Sequence, residues 1–152
     1  MGCRSDSRPG EDEALPGAYK LLRQADLPVV VVTSATRAVA LHRLARAKLP
    51  APQQLVAADD VRQGKPHPEP YVTAAHRIGL LAADCVAIED SPLGVQAALA
   101  VGATTVAVLI SHPRDEFDSV RHFIPNLASL KVEQGGNCLT APRGRGAQGI
   151  GS

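Results

Sequence analysis

Aromatic residues are scarce: two phenylalanines, two tyrosines and no tryptophan in 152 residues. A core must therefore be assembled from alanine, valine and leucine, and the hydrophobic content of 45% is ordinary for a globular chain. Neither sign of charge dominates; the net charge of +1 leaves no long-range field to draw in nucleic acid or an acidic membrane. Cysteine is confined to Cys3, Cys85 and Cys138, spaced for neither a metal knuckle nor a disulfide framework, and Cys85 reads as a small buried hydrophobe. The longest apolar runs, at residues 29–32 and 106–110, fall far short of the roughly 20 residues of a membrane span. The first residues are polar and acidic, unlike a signal peptide. These absences predict a soluble cytoplasmic protein, with one domain long enough to bury a core and no nucleic-acid or membrane partner.

What the chain does have is an alternation of short apolar runs with amphipathic segments. Residues 1–13, MGCRSDSRPGEDE, show no apolar period and read as a disordered leader. Pro16 opens a helix whose apolar face is Ala18, Leu21, Leu22 and Ala25. The valines at 29–32 predict a strand buried on both faces, with Thr33 and Ser34 at its carboxyl end. A helix over 38–47 turns Val39, Leu41, Leu44 and Ala45 inward, and Pro50 and Pro52 break it. Leu55 and Val56 form a brief strand, and 59–68 is a loop of turn formers carrying Lys65. The next helix begins at 68–70, with Tyr71, Val72, Ala75 and Ile78 as its stripe. A strand over 85–88, a helix over 95–101, a strand over 106–110, an edge strand at 123–125 and a short helix at 127–130 follow. Residues 133–152 are rich in glycine and read as a flexible tail. The alternation predicts an α/β fold over residues 14–132, a doubly wound parallel sheet with helices on both faces.

The richest stretch is 86–94, VAIEDSPLG. A buried strand ends in two adjacent carboxylates, Glu89 and Asp90, and Ser91-Pro92 then fit the N-cap and first position of a helix. Open α/β sheets bind ligands beyond the carboxyl ends of their strands. Two acids placed there repel and call for a cation or a proton between them, and Mg²⁺ suits a few carboxylates supplemented by phosphate and water. Thr33 or Ser34 at the other strand end could donate to a phosphate oxygen, and the ammonium of Lys65, between Gly64 and Pro66, could neutralise one. Asp59, Asp60, His42, His76 and His112 read as solvated surface, His67 as a loop residue, and Gly94 as a point of close helix–strand approach.

Hydroxyl, lysine and acid pair, in the wording VVTSATRA, GKPHPEPY and IEDSPLGVQAALAVGATTVAV, resemble motifs II, III and IV of the haloacid-dehalogenase superfamily of phosphohydrolases. The longer wording is similar to its sugar-phosphatase and β-phosphoglucomutase-like branch, from about residue 15 to 130. The resemblance implies a Rossmann-like core and a Mg²⁺-dependent phosphatase of small phosphorylated metabolites, most of all sugar phosphates. It assigns Ser34 (with Thr33) and Lys65 to the phosphate and to catalysis, and Glu89 and Asp90 to the metal, and leaves a mutase ancestry open. A receiver-like or flavodoxin-like domain is the runner-up fold, but its own acid cluster or early phosphate loop is not found.

The family's nucleophile, the first aspartate of an Asp-x-Asp-Gly-Thr-like motif on the first strand, has no counterpart in these 152 residues, nor has the helical cap that selects the substrate. The resemblance implies a sheet order of 5-4-1-2-3, so the missing strand is the central one. Strands lie about 4.8 Å apart, so its neighbours at 29–32 and 85–88 would face each other across roughly 9.6 Å. Such a strand buries apolar side chains worth on the order of 6–12 kcal/mol, comparable to a whole domain's stability. The expectation is therefore that the two halves close and pair, that something fills the slot, or that the chain is loosely folded. Functionally, the 152 residues are expected not to turn over substrate. The alternatives are a non-catalytic remnant or binding module that pairs with a complementing strand or a second copy, and a partial reading frame flanked by out-of-place sequence.

Overall fold

The computed structural model describes residues 13–23, 27–132 and 139–140. The chain runs through α1 (Ala18–Leu22), β1 (Val30–Val32), α2 (Arg37–Arg46), β2 (Gln54–Val56), α3 (Glu69–Arg77), β3 (Val86–Glu89), α4 (Pro92–Ala100), β4 (Thr104–Val108) and β5 (His122–Ile124). Strands alternate with helices and every pairing among these five strands is parallel. The local signals that start the helices are those expected. Thr36 caps α2, and Ser91 Oγ accepts from Gly94 N at 3.1 Å with Pro92 at the first position of α4.

The sheet is split. β1 pairs with β2, Val31 opposite Leu55, while β3, β4 and β5 form a separate sheet in that order, with Ile88 opposite Val106 and Val108 opposite Ile124. The halves neither close nor pair; cavities of about 690 and 430 Å³ lie between β1 and β3. Val30, Val31 and Val32 are consequently half-buried, as are Val86 and Ile88, where burial on both faces was expected. β4, flanked on both sides, has its last four residues buried.

The second sheet carries most of the core. On one face Ala87 packs with Ala98 and Ala103, and Ala107 with Val95 and Phe117. On the other, Val106, Val108 and Ile124 meet Leu127 and Leu130. Gly17, at φ 90°, lets the start of α1 press onto this region; a Cβ there would fall on the backbone of Leu127 and Ala128. The smaller sheet is buttressed by Ala40, Leu55, Ala57 and Val31.

α3 packs on β1, β2 and α4, so it spans both sheets. Its Arg77 donates to Leu55 O at 2.5 Å and pairs with Asp60 at 3.3 Å. Arg37 of α2 reaches the same Leu55 O at 2.9 Å and Asp60 at 2.7 Å, and Ala57 N donates to Asp60 Oδ2 at 2.8 Å. Asp60 is thus a joint between α2, β2 and α3, not solvated surface. The Ala57 amide first, and the Arg77 and Arg37 guanidiniums after it, hold its carboxyl below the usual range.

That joint also corrects the inward face of α2. Val39 is 42% and Leu41 40% exposed, and Ala45 is exposed, because anchoring Arg37 rotates the helix to turn Ala40, Leu44 and Ala47 inward. In α3, Val72 is exposed while Pro70, Ala74 and Ala75 are buried. β4 starts earlier than expected and ends before Leu109 and Ile110, which are exposed. Cys85 is half-buried, its thiol near Leu81 O at 3.3 Å and pushed up by burial and then by Asp84. His112 has a partner, Glu116, at 2.6 Å. Of the expected tail, Leu139–Thr140 lies antiparallel to Lys131–Val132. The expected leader up to residue 12, Ala25, and residues 133–138 and 141–152 lie outside the described residues.

Candidate functional site

The loop between β2 and α3 is stitched from within. Glu69 accepts from Arg62 N and Gln63 N, each at 2.9 Å, and these bonds lower its carboxyl below the usual range. His67 Nδ1 accepts from Glu69 N at 3.1 Å, a loop role as expected. This scaffold, with a cis Lys65–Pro66 peptide, presents Lys65 inward with its side chain 11% exposed.

Lys65 Nζ donates to Val32 O at 3.3 Å, the last carbonyl of β1, and pairs with Glu89 Oε1 at the end of β3. One ammonium therefore spans the carboxyl ends of both sheets. Glu89, whose side chain is 5% exposed, faces the helices on the same side as Ala87. Its Oε1 also accepts from Tyr71 Oη, and Lys65 Nζ lies 5.5 Å from the Tyr71 ring centroid. Burial, then the Glu89 charge, push the Tyr71 phenol far above its ordinary ionisation range. Gly94 makes room for this arrangement, since a Cβ there would fall on the Glu89 carboxylate.

Asp90 is half-buried and accepts from Ser111 Oγ at 3.1 Å through Oδ2. Thr33 Oγ1 accepts from Ala35 N at 3.1 Å, turning in on its own loop. Ser34 is exposed, and its side chain makes no hydrogen bond among the described residues. Lysine and Glu89 are thus brought into contact, with Thr33 and Ser34 one and two residues past the carbonyl that Lys65 holds. Asp90 turns to a different partner. Tyr71 and Ser111 are the two participants that sequence reasoning missed. Tyr71 sits in an apolar stripe and only its hydroxyl distinguishes it, while Ser111 follows an apolar run with no motif around it.

Glu89 and Asp90 offer hard oxygen donors of the type Mg²⁺ takes. Their number falls short: among the described residues no group of three or more His, Cys, Asp or Glu could hold a metal, and Glu89 Oε1 is already engaged twice. Two carboxylates supply only part of the oxygen shell that Mg²⁺ takes.

A family model for haloacid dehalogenase-like hydrolases matches residues 7–102. The chain belongs to that family. It is 39% identical over 130 residues to hexitol phosphatase A of Escherichia coli (strain K12), covering 80% of this chain and 59% of that protein. A hydrolase from Pseudomonas syringae superposes with TM-score 0.70 at 30% identity, over 76% of this chain and 56% of the other. A HAD family hydrolase from Deinococcus radiodurans R1, solved with bound phosphate and sodium, gives TM-score 0.57 at 36% identity over 63% and 44% of the two chains. The chain spans about half of the length of these relatives. No helix among the described residues is long and apolar enough to cross a membrane.

Proposed function

We propose that these residues form the phosphate-binding and metal-facing part of a Mg²⁺-dependent phosphatase of small phosphorylated metabolites, with sugar phosphates as the substrate class. The observation that carries this reading is Lys65, a nearly buried ammonium held at the carboxyl ends of β1 and β3 by Val32 O and Glu89. A compact cation fixed there neutralises a phosphoryl group without reorganising. Ser34, its hydroxyl uncommitted, donates to a phosphoryl oxygen from the end of β1. Tyr71 and Glu89 hold the ammonium in place, and Asp90, with one oxygen on Ser111, keeps the other for a cation. Mg²⁺ held there would supply positive charge to the phosphoryl oxygens.

The covalent route expected of this family starts from a carboxylate nucleophile, and no Asp-x-Asp-Gly-Thr-like motif occurs in these 152 residues. By themselves they bind and polarise the phosphoryl group and do not cleave it. Calorimetric titration with a hexose 6-phosphate in Mg²⁺ tests the binding. Ser34→Ala and Lys65→Ala should weaken it, the latter about tenfold or more, as expected for a lost charged hydrogen bond. Binding that is absent, or indifferent to both substitutions, overturns the reading. Hydrolysis of p-nitrophenyl phosphate should stay at background; Mg²⁺-dependent turnover abolished by Asp90→Ala would show that another acid, or a partner strand, replaces the missing aspartate.

A further inference from the structure

Ser34 is exposed, and its hydroxyl bonds to nothing among the described residues. Its place at the end of β1 is therefore set by the backbone that carries it. Residues 33, 35 and 37 each bond to the segment 55–60, which leaves Ser34 between two fastened neighbours. Thr33 N donates to Val56 O and Ala58 N to Ala35 O, both at 2.9 Å. Arg37 N donates to Asp59 Oδ1 at 2.9 Å, and its guanidinium reaches Leu55 O and Asp60. Thr33 Oγ1, which accepts from Ala35 N at 3.1 Å, closes the turn on itself.

Asp60 joins this turn to the loop that carries Lys65. Its side chain is 18% exposed. Oδ2 accepts from Arg37 Nη2 at 2.7 Å and from Ala57 N at 2.8 Å, and Oδ1 faces Arg77 Nη2 of α3 at 3.3 Å. Each guanidinium bridges Leu55 O and one Asp60 oxygen, a planar fork that fixes direction as well as distance. The 3₁₀ turn Ala58–Asp60 opens the Lys65 loop, and Glu69 closes it by holding Arg62 N and Gln63 N. Lys65 reaches back to Val32 O, two residues before Ser34. The hydroxyl and the ammonium thus sit on two segments that share Asp60 as a fastening. A binding group needs the shell behind it to hold it within about 0.5 Å of its productive geometry.

We infer that Asp60, acting through Arg37, is a positioning residue for Ser34. It keeps the 33–37 turn in register with the Lys65 loop, so that hydroxyl and ammonium meet one phosphoryl group. The ligand in this statement rests on the phosphatase reading above; the positioning rests on the bonds themselves. Arg77 ties the same carboxylate to α3, so cutting that arm alone loosens the fold without freeing the turn.

The test is calorimetric titration with a hexose 6-phosphate in Mg²⁺ of the parent, Asp60→Ala, Arg37→Met and Arg77→Met, each with and without Ser34→Ala. The temperature is one at which circular dichroism shows the proteins folded. Asp60→Ala and Arg37→Met cut the same link independently, so either one decides if the other does not fold. Amide exchange at Ala58, which bonds Ala35 O, is measured alongside and referred to Val106 of β4. Ser34→Ala should weaken binding about threefold or more in the parent, but less than about twofold in Asp60→Ala or Arg37→Met. Those two should also speed exchange at Ala58 about tenfold or more relative to Val106. Arg77→Met should keep the Ser34 effect; its loss there too would make Asp60 a stabilising joint only and overturn the proposal. So would a Ser34 effect of parental size in Asp60→Ala and Arg37→Met, or Ala58 exchange that merely follows Val106 in both. A parent that binds no sugar phosphate, or binds it regardless of Ser34→Ala, fails the reading of the ligand. Ala58 exchange then decides the positioning of the turn by itself.

Discussion

Replacing Gly94 by alanine sets two effects of opposite sign against each other. Gly94 lies in the first turn of α4, where alanine is favoured over glycine by at most about 1 kcal/mol. Opposing this, the new Cβ falls on the carboxylate carbon and both oxygens of Glu89. A glutamate tip ordinarily moves aside at little cost, but this one is 5% exposed and held by Lys65 and Tyr71. It must either stay and strain, at about 1–3 kcal/mol for overpacking, or leave and give up hydrogen bonds to charged groups worth about 1.5–3 kcal/mol. Either outcome, less the propensity gain, leaves a net loss of up to about 2 kcal/mol. That is a measurable part of a stability of about 5–15 kcal/mol. Urea unfolding followed by far-UV circular dichroism measures it, and the same substitution in a Glu89→Ala background should cost less than about 1 kcal/mol. A Gly94→Ala protein as stable as the parent, or more so, would refute the packing argument, leaving helix propensity as the only effect.

Tyr71→Phe removes the hydroxyl from Glu89 Oε1 and should destabilise by about 1.5–3 kcal/mol in urea, with the ring's packing retained. In a Tyr19→Phe protein, alkaline titration at 295 nm should show no phenolate until the chain unfolds, since burial and then Glu89 oppose Tyr71 ionisation. The Asp60 carboxyl is depressed in the folded state, so its contribution to stability is complete above the unfolded value near 3.8 and is lost as pH falls through the lower folded value. Asp60→Asn should therefore lower the urea midpoint at pH 7 and flatten the acid limb, the two proteins converging below that folded value; identical acid limbs would contradict the depression.

The order of elements was legible because each boundary carries its own local chemistry. Ser91 and Pro92 start α4 by a hydroxyl and a ring, and both act within three residues of themselves. The carboxyl-end position of Glu89 and Asp90 followed from the same reading. What stayed hidden depends on partners far along the chain. Val39 and Leu41 are as apolar as any inward residue, yet α2 is oriented by Arg37, whose bonds lie 18 and 23 residues away. Asp60 looked like one more loop acid because Arg37 and Arg77 approach it only in the folded chain. Tyr71 counted as core by its ring, while its hydroxyl meets Glu89 across 18 residues. The gap between β1 and β3 was legible as a missing strand, but sequence alone left open whether the halves would close. They stay apart because α3 packs on the β1–β2 sheet and on α4, and reaches β3 through Tyr71 and Glu89, a bridge that needs no strand pairing.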